Sequence, residues 1–415
     1  MNRKAVLTGL LATTLTGAAF AQQGPVPKGV SHLDHVFVIM MENHGYSQIL
    51  NNPNAAFTNQ YAKSANLATN YFAVAHPSLT NYLETIGGSN FGVQDDNSPD
   101  WHSTTCVTNL ASTPNYESSG NAICPIAGSG ADAATPAIDT TNEAPGQQTI
   151  NIDGTRSYDA NPNTVGISIA DQLVAAGKTW KSYQESLPAQ GADGVNNSDG
   201  FFTDATDFSN IFPQLTPPLS SGDVVKLYAV KHNPFVYFQS VQEGKGALSL
   251  KNTVGFEGDH GLYGDLATGK VPTYSFIAPN QCNDQHGRGN AGPYCNYDPA
   301  SDGSQAGLNP ALIIKGDQTI QRIVTAIHGS PAWKEGRNAI VLMWDENDYS
   351  LAPNTNQVMT VVETNHGHRG KTSATYYNHF SLLKTIEGGL GLGCLNHACD
   401  ASTNTMSDLF GRGDE

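Results

Sequence analysis

The chain has 415 residues, a formal charge of −16 from 21 Lys+Arg against 37 Asp+Glu, and only 14% charged residues. Plentiful aliphatic and aromatic side chains at low charge density exclude a disordered chain. Absent Lys/Glu/Leu enrichment excludes a coiled coil, and the excess of acid over base argues against a nucleic-acid binder.

The chain opens on a targeting pattern. Arg3 and Lys4 precede an uncharged stretch from Ala5 to Phe20, and Ala19-Phe20-Ala21 fits a small-x-small cleavage site. The stretch is too short and too weakly apolar to span a bilayer comfortably. Residues 1–21 are therefore expected to be a secretory signal, and 22–415 a single exported domain, periplasmic or extracellular. Losing Arg3 and Lys4 takes the formal charge from −16 to −18. No later stretch is apolar enough to cross a membrane.

Leu33 to Met41 (LDHVFVIMM) is a continuous apolar run, the pattern of a strand buried on both faces. Ser78 to Ile86 has apolar residues three and four apart, as a helix requires. From Gly87 to about Asn163 the chain turns polar and rich in Gly, Ser, Thr, Asn and Pro. This predicts a long loop insertion near 88–163, either a functional lid or a surface excursion. Ser168 to Ala176 again reads as a helix, and Gln190 to Asp199 as a polar stretch. Pro234 to Phe238 is a weak apolar run, and Pro272 to Ala278 (PTYSFIA) a stronger one. Ala311 to His328 is helical in pattern, Asn338 to Trp344 (NAIVLMW) a further buried strand, and Tyr377 to Leu390 a last helix. Strands alternating with helices predict an α/β fold with a mostly parallel sheet covered by helices on both faces.

Six cysteines fall into three neighbouring pairs, Cys106/Cys124, Cys282/Cys295 and Cys394/Cys399. An even count in an exported chain predicts disulfides, and the local pairings are the simplest of the fifteen possible.

Three polar clusters follow apolar runs. Glu42-Asn43-His44 follows the first strand, Asn283-Asp284-Gln285-His286 the third run, and Asp345-Glu346-Asn347-Asp348 the NAIVLMW strand. Open α/β sheets bind ligands at the carboxyl ends of their strands. Three strands delivering carboxylates to that edge predict a site for a hard cation, whether Mg, Ca, Mn or Zn. A fourth segment, His76-Pro77-Ser78-Leu79-Thr80-Asn81, puts Ser78 at a helix start. Ser78 reads either as an N-cap or as a nucleophile beside N–H groups that suit a phosphate.

ENHGYSQIL, NYFAVAHPSLTNYLETIGG, KHNPFVYF, PTYSFIAPNQCNDQHG, IVLMWDEND and YYNHFSLLKTIEGGLGL occur in that order between Leu33 and Leu392. This series resembles the bacterial and fungal phosphoesterase family of acid phosphatases and phospholipases C, within the alkaline phosphatase superfamily. The resemblance implies an alkaline phosphatase-like fold and a metal-dependent hydrolysis of phosphate esters through a phosphoserine. It implies Ser78 as nucleophile, Asn81 as the amide holding a phosphoryl oxygen, and Glu42, Asn43, Asp345 and Glu346, with Ser78, around a metal. Asp284, His286 and His379 match positions that hold a second metal in two-metal relatives, and His286 is a candidate to help the water. Lys231 and His232 of the KHNP motif match a substrate-side signature or a surface turn. Thr80 stands where relatives often carry proline. His366 and His368 replace an apolar segment, and Glu185 is a candidate for the site mouth.

The implied substrate is a phosphorylated small molecule or a lipid. A compact chain favours a phosphomonoesterase of acid phosphatase type. Phospholipase C or phosphodiesterase activity is the alternative, and a non-catalytic phosphate- or cation-binding protein the distant one. A sulfatase would need a C/S-x-P-x-R context that Ser78-Leu79-Thr80-Asn81 lacks.

Overall fold

The computed structural model describes residues 24–93, 95–99, 106, 122–132, 161–192, 227–286, 310–347 and 355–411, with backbone only at 137–139, 149–151, 201–202 and 225–226. Residues 1–21, most of the 88–163 insertion, Asp348 and Cys295 lie outside the described residues.

Eight strands make the central sheet: β1 His35–Met41, β2 Asn66–Ala68, β3 Trp180–Gln184, β4 Thr253–Val254, β5 Tyr274–Ala278, β6 Asn338–Trp344, β7 Thr360–Thr364 and β8 Thr372–Ser373. Their spatial order is β4-β3-β5-β1-β6-β7-β2-β8. The first five are mutually parallel, β7 runs antiparallel to both neighbours, and β8 is parallel to β2. Every residue of β5 and β6, and all but the first of β1, is buried. Successive strand side chains point to opposite faces, so both faces are covered, as the unbroken apolar runs predicted. Each large aliphatic side chain buried there contributes roughly 1.5–3 kcal/mol.

The longer helices are α1 Ala56–Ser64, α2 Ser78–Gly87, α3 Ile169–Ala175, α4 Leu262–Thr268, α5 Pro310–Gly329 and α6 His379–Leu390. They form two groups: α2 packs on α3 and α6, and α5 on α1 and α4. Helix α3 begins where Ser168 accepts from the Ala170 N–H and Asp171 accepts from the Ser168 N–H, a reciprocal cap. Helix α2 ends at Gly88, whose φ of +70° is the left-handed conformation that glycine adopts freely.

Two expectations are corrected. Pro234–Tyr237 is a buried 3-10 turn, not a strand. Proline offers no N–H to a ladder, and its fixed φ suits the first position of a turn. The last helix starts at His379, two residues late, because Tyr377–Asn378 pairs in parallel with Tyr71–Phe72.

The Cys106–Cys124 and Cys394–Cys399 disulfides are formed. Cys282 is also disulfide-bonded, and its expected partner Cys295 lies outside the described residues. No helix among the described residues is long and apolar enough to cross a membrane.

Candidate active site

Strand register assembles the site. Met41 lies opposite Trp344, so Glu42 and Asp345 leave the sheet side by side. The Asp345 N–H donates to Met41 O at 3.0 Å, and the Glu42 N–H to Asp284 O at 3.1 Å. Three chain segments distant in sequence thus meet at one carboxyl edge. Asn43 follows with φ +48°, a left-handed turn that asparagine tolerates. Its N–H donates to Asp345 Oδ1 at 3.0 Å and its side-chain amide to Glu42 Oε2 at 2.8 Å.

Glu42 is the hub of a buried cluster. His286 Nδ1 lies 2.9 Å from its Oε2, while His232 Nε2 and Lys231 Nζ lie 3.1 and 3.8 Å from its Oε1. Burial alone would raise this carboxyl, but the Lys231 and His232 charges outweigh it and hold Glu42 well below the usual range. Asp345 goes the other way. Burial, then the adjacent Glu42 and Glu346 charges, push it well above.

Glu42, His232 and Asp284 each offer a ligand atom within 4.8 Å of the others. Among the described residues, Asp345 Oδ2 and Asn43 Oδ1 are buried with no hydrogen-bond partner. Clustered carboxylates with orphaned oxygens and an imidazole suit a divalent cation, which would relieve the repulsion that otherwise favours a proton on Asp345. The chemistry of the donor set therefore fits the expected metal. It draws in His232, which sequence reasoning had put on the substrate side. Stacking on Tyr82, at 5.1 Å between centroids and 7° between planes, fixes that ring.

Ser78 is the first residue of α2 and is buried. Its hydroxyl donates to Glu346 Oε1 at 3.2 Å, and Lys231 Nζ lies 3.3 Å from its oxygen. The other Glu346 oxygen accepts from the Asn81 amide at 3.0 Å and sits 2.9 Å from His76 Nδ1. Asn81 also donates to Ala75 O at 2.8 Å and accepts from the Val74 and Ala75 N–H groups at 3.1 Å. Both of its amide protons are spent, so here Asn81 orients Glu346 and the 74–75 turn.

His379 does not reach the cluster with a free nitrogen. Nε2 lies 2.6 Å from Asp345 O, and Nδ1 is 3.1 Å from Tyr71 OH. Burial lowers this imidazole to about 4, so the ring is neutral. It steadies the Asp345 backbone, which differs from the second-metal position implied for it. His366 and His368 follow β7, whose reversed direction carries them to the opposite edge, where the Asn365 N–H meets Asn338 O at 3.1 Å.

Asp96 was missed. Its Oδ1 accepts from the Leu79 N–H at 2.9 Å and its Oδ2 lies 2.8 Å from Lys231 Nζ. It sits in the polar stretch after α2, where no apolar run flags it. Glu185, a candidate for the site mouth, is buried. Its carboxylate accepts from the Asn280 N–H at 3.0 Å and the Asn283 amide at 2.8 Å, propping the loop that carries Asp284.

The Phosphoesterase family model matches residues 48–294, so the chain belongs to the Phosphoesterase family and is a hydrolase acting on phosphoric ester bonds. It is similar to a phosphatidylinositol-3-phosphatase of Mycobacterium tuberculosis, at 24% identity over 99% of this chain and 94% of that one. An acid phosphatase of Aspergillus fumigatus is 26% identical over 67% of this chain, which spans 42% of that relative. Among solved structures, a member of the alkaline phosphatase superfamily from Vibrio parahaemolyticus aligns at TM-score 0.43 and 11% identity, over 94% of this chain and 76% of that one.

Proposed function

We propose that this chain is an exported, metal-dependent phosphomonoesterase of acid phosphatase type that works through a phosphoserine at Ser78. The observation that carries the reading is the setting of the Ser78 hydroxyl. It stands at a helix N-terminus between the Glu346 carboxylate and the Lys231 ammonium. Relatives named phosphatidylinositol-3-phosphatase and acid phosphatase support it.

Glu42, Asp284 and His232 would hold a divalent cation, with Asp345 and Asn43 beside them. Bound there, the ion would supply a Lewis acid for a phosphoryl oxygen and lower the pKa of a nearby hydroxyl. Glu346 accepts the Ser78 hydrogen bond and takes its proton as the Oγ–P bond forms and the ester oxygen leaves. Lys231, kept protonated by Asp96 and Glu42, offsets the charge on the phosphoryl oxygens. Water then cleaves the Oγ–P bond, releasing inorganic phosphate and restoring the hydroxyl. Asn81 and His76 hold Glu346 in place throughout.

Ser78→Ala should lower p-nitrophenyl phosphate turnover by about 10³-fold or more with an unchanged melting temperature. A chelator should abolish wild-type turnover, and added divalent cation should restore it. Substantial turnover in the variant, or indifference to chelation, would overturn the reading.

A further inference from the structure

The geometry points to Asp96 as an internal competitor of the phosphoryl group: its carboxylate occupies the two donors that flank Ser78, and so sets how tightly this hydrolase holds phosphate. The inference rests on Ser78 being the nucleophile, and it adds a residue that neither the family motifs nor the strand-end clusters contain.

A phosphoryl group attacked by Ser78 must bring its non-bridging oxygens next to Oγ. Two donors flank that point among the described residues: the Leu79 N–H, left without an intrahelical acceptor at the start of α2, and Lys231 Nζ, 3.3 Å from Oγ. Asn81 offers no third, because its amide protons go to Ala75 O and Glu346. Asp96 spans both donors, one oxygen on each, at 2.9 and 2.8 Å, and its side chain is only 7% exposed. A carboxylate bridging a helix-terminal N–H and an ammonium presents the same two acceptors as one edge of a phosphate.

Charge neutralisation of Lys231 alone does not account for this. Glu42 lies 3.8 Å from the same ammonium, and the bond to the Leu79 N–H neutralises nothing. Nor can Asp96 and a phosphate dianion share these donors, since like charges at hydrogen-bond distance repel strongly. The backbone on the far side of Asp96 is anchored, with the Tyr237 hydroxyl donating to Asn97 O at 2.9 Å. The exchange is therefore a rotation of the Asp96 side chain off its donors as phosphate takes them. Phosphate affinity is the intrinsic affinity multiplied by the fraction of molecules in which Asp96 has already let go.

The test measures inorganic phosphate binding to the full-length protein by calorimetry, alongside KM for p-nitrophenyl phosphate. Asp96→Ala should tighten both by about tenfold or more if roughly a tenth of molecules are open at rest. Asp96→Asn should tighten them less, because its amide oxygen keeps the Leu79 bond. Unchanged or weaker phosphate binding in both variants would overturn the inference and leave Asp96 a support for Lys231. Melting curves report folding, and if Asp96→Ala fails to fold, Asp96→Asn decides. Failure of the parent reading looks different: Ser78→Ala would then retain turnover whatever the Asp96 variants do.

Discussion

Glu346 divides its carboxylate among Ser78, Asn81 and His76. Ser78 and Asn81 are three apart on α2 and so share one helix face, and the family resemblance is what paired them. Asp96 was not assigned, because a residue in a turn acquires its role only from the tertiary neighbour it meets. His397 is a second such case, away from the site. It lies 3.1 Å from Asp132 and 2.8 Å from Asp400, joining the insertion to the C-terminal segment. Burial opposes its charge, but the two carboxylates outweigh burial and push it up to about 9. A folded pKa above the unfolded 6.5 stabilises fully below pH 6.5 and loses that contribution as pH rises through about 9. Urea melts at pH 6 and 9.5 should differ by on the order of 2–3 kcal/mol, allowing for the half-open Asp400. His397→Gln should flatten that slope; an equally steep slope in the variant would refute the assignment.

Elements hold the site by backing its loops. Gln285 has φ +82°, and its side chain accepts from the Trp344 indole at 2.9 Å and donates to Ile313 O at 3.3 Å. It locks the turn between Asp284 and His286 against β6 and α5. Gly316 of α5 makes room for it: a Cβ there would lie 2.1 Å from Gln285 Cγ and 3.2 Å from Asn283 O. Gly316→Ala should therefore lower stability by about 1–3 kcal/mol and weaken divalent-cation binding, read by calorimetry. Unchanged affinity would mean that the turn is held from elsewhere. The same elements explain what was legible. Strands β1, β5 and β6 are buried on both faces and announce themselves as apolar runs. Strand β3 (WKSYQ) carries polar residues, and β4 has only two residues, so neither shows a period. The reversed β7 also escaped, since no local pattern encodes strand direction. It was β7 that removed His366 and His368 from contention.

At the scale of the molecule, a sparse negative charge is concentrated where it acts. Glu42, Asp96, Asp284, Asp345 and Glu346 crowd one edge of a parallel sheet, with Lys231 set among them. Such an edge repels a phosphate unless cations offset it, so the acidity of the site argues for a metal as strongly as any single ligand does. The disulfides agree with the proposed export. Acid-quenched turnover traps the proposed covalent step at Ser78. The protein is mixed with p-nitrophenyl phosphate, stopped in acid within one turnover, digested, and its peptides are weighed. One added phosphoryl group is expected on the peptide containing Ser78 and none in Ser78→Ala. A quenched protein with no added phosphoryl group during active turnover, or with the group on a histidine or another serine, would contradict it.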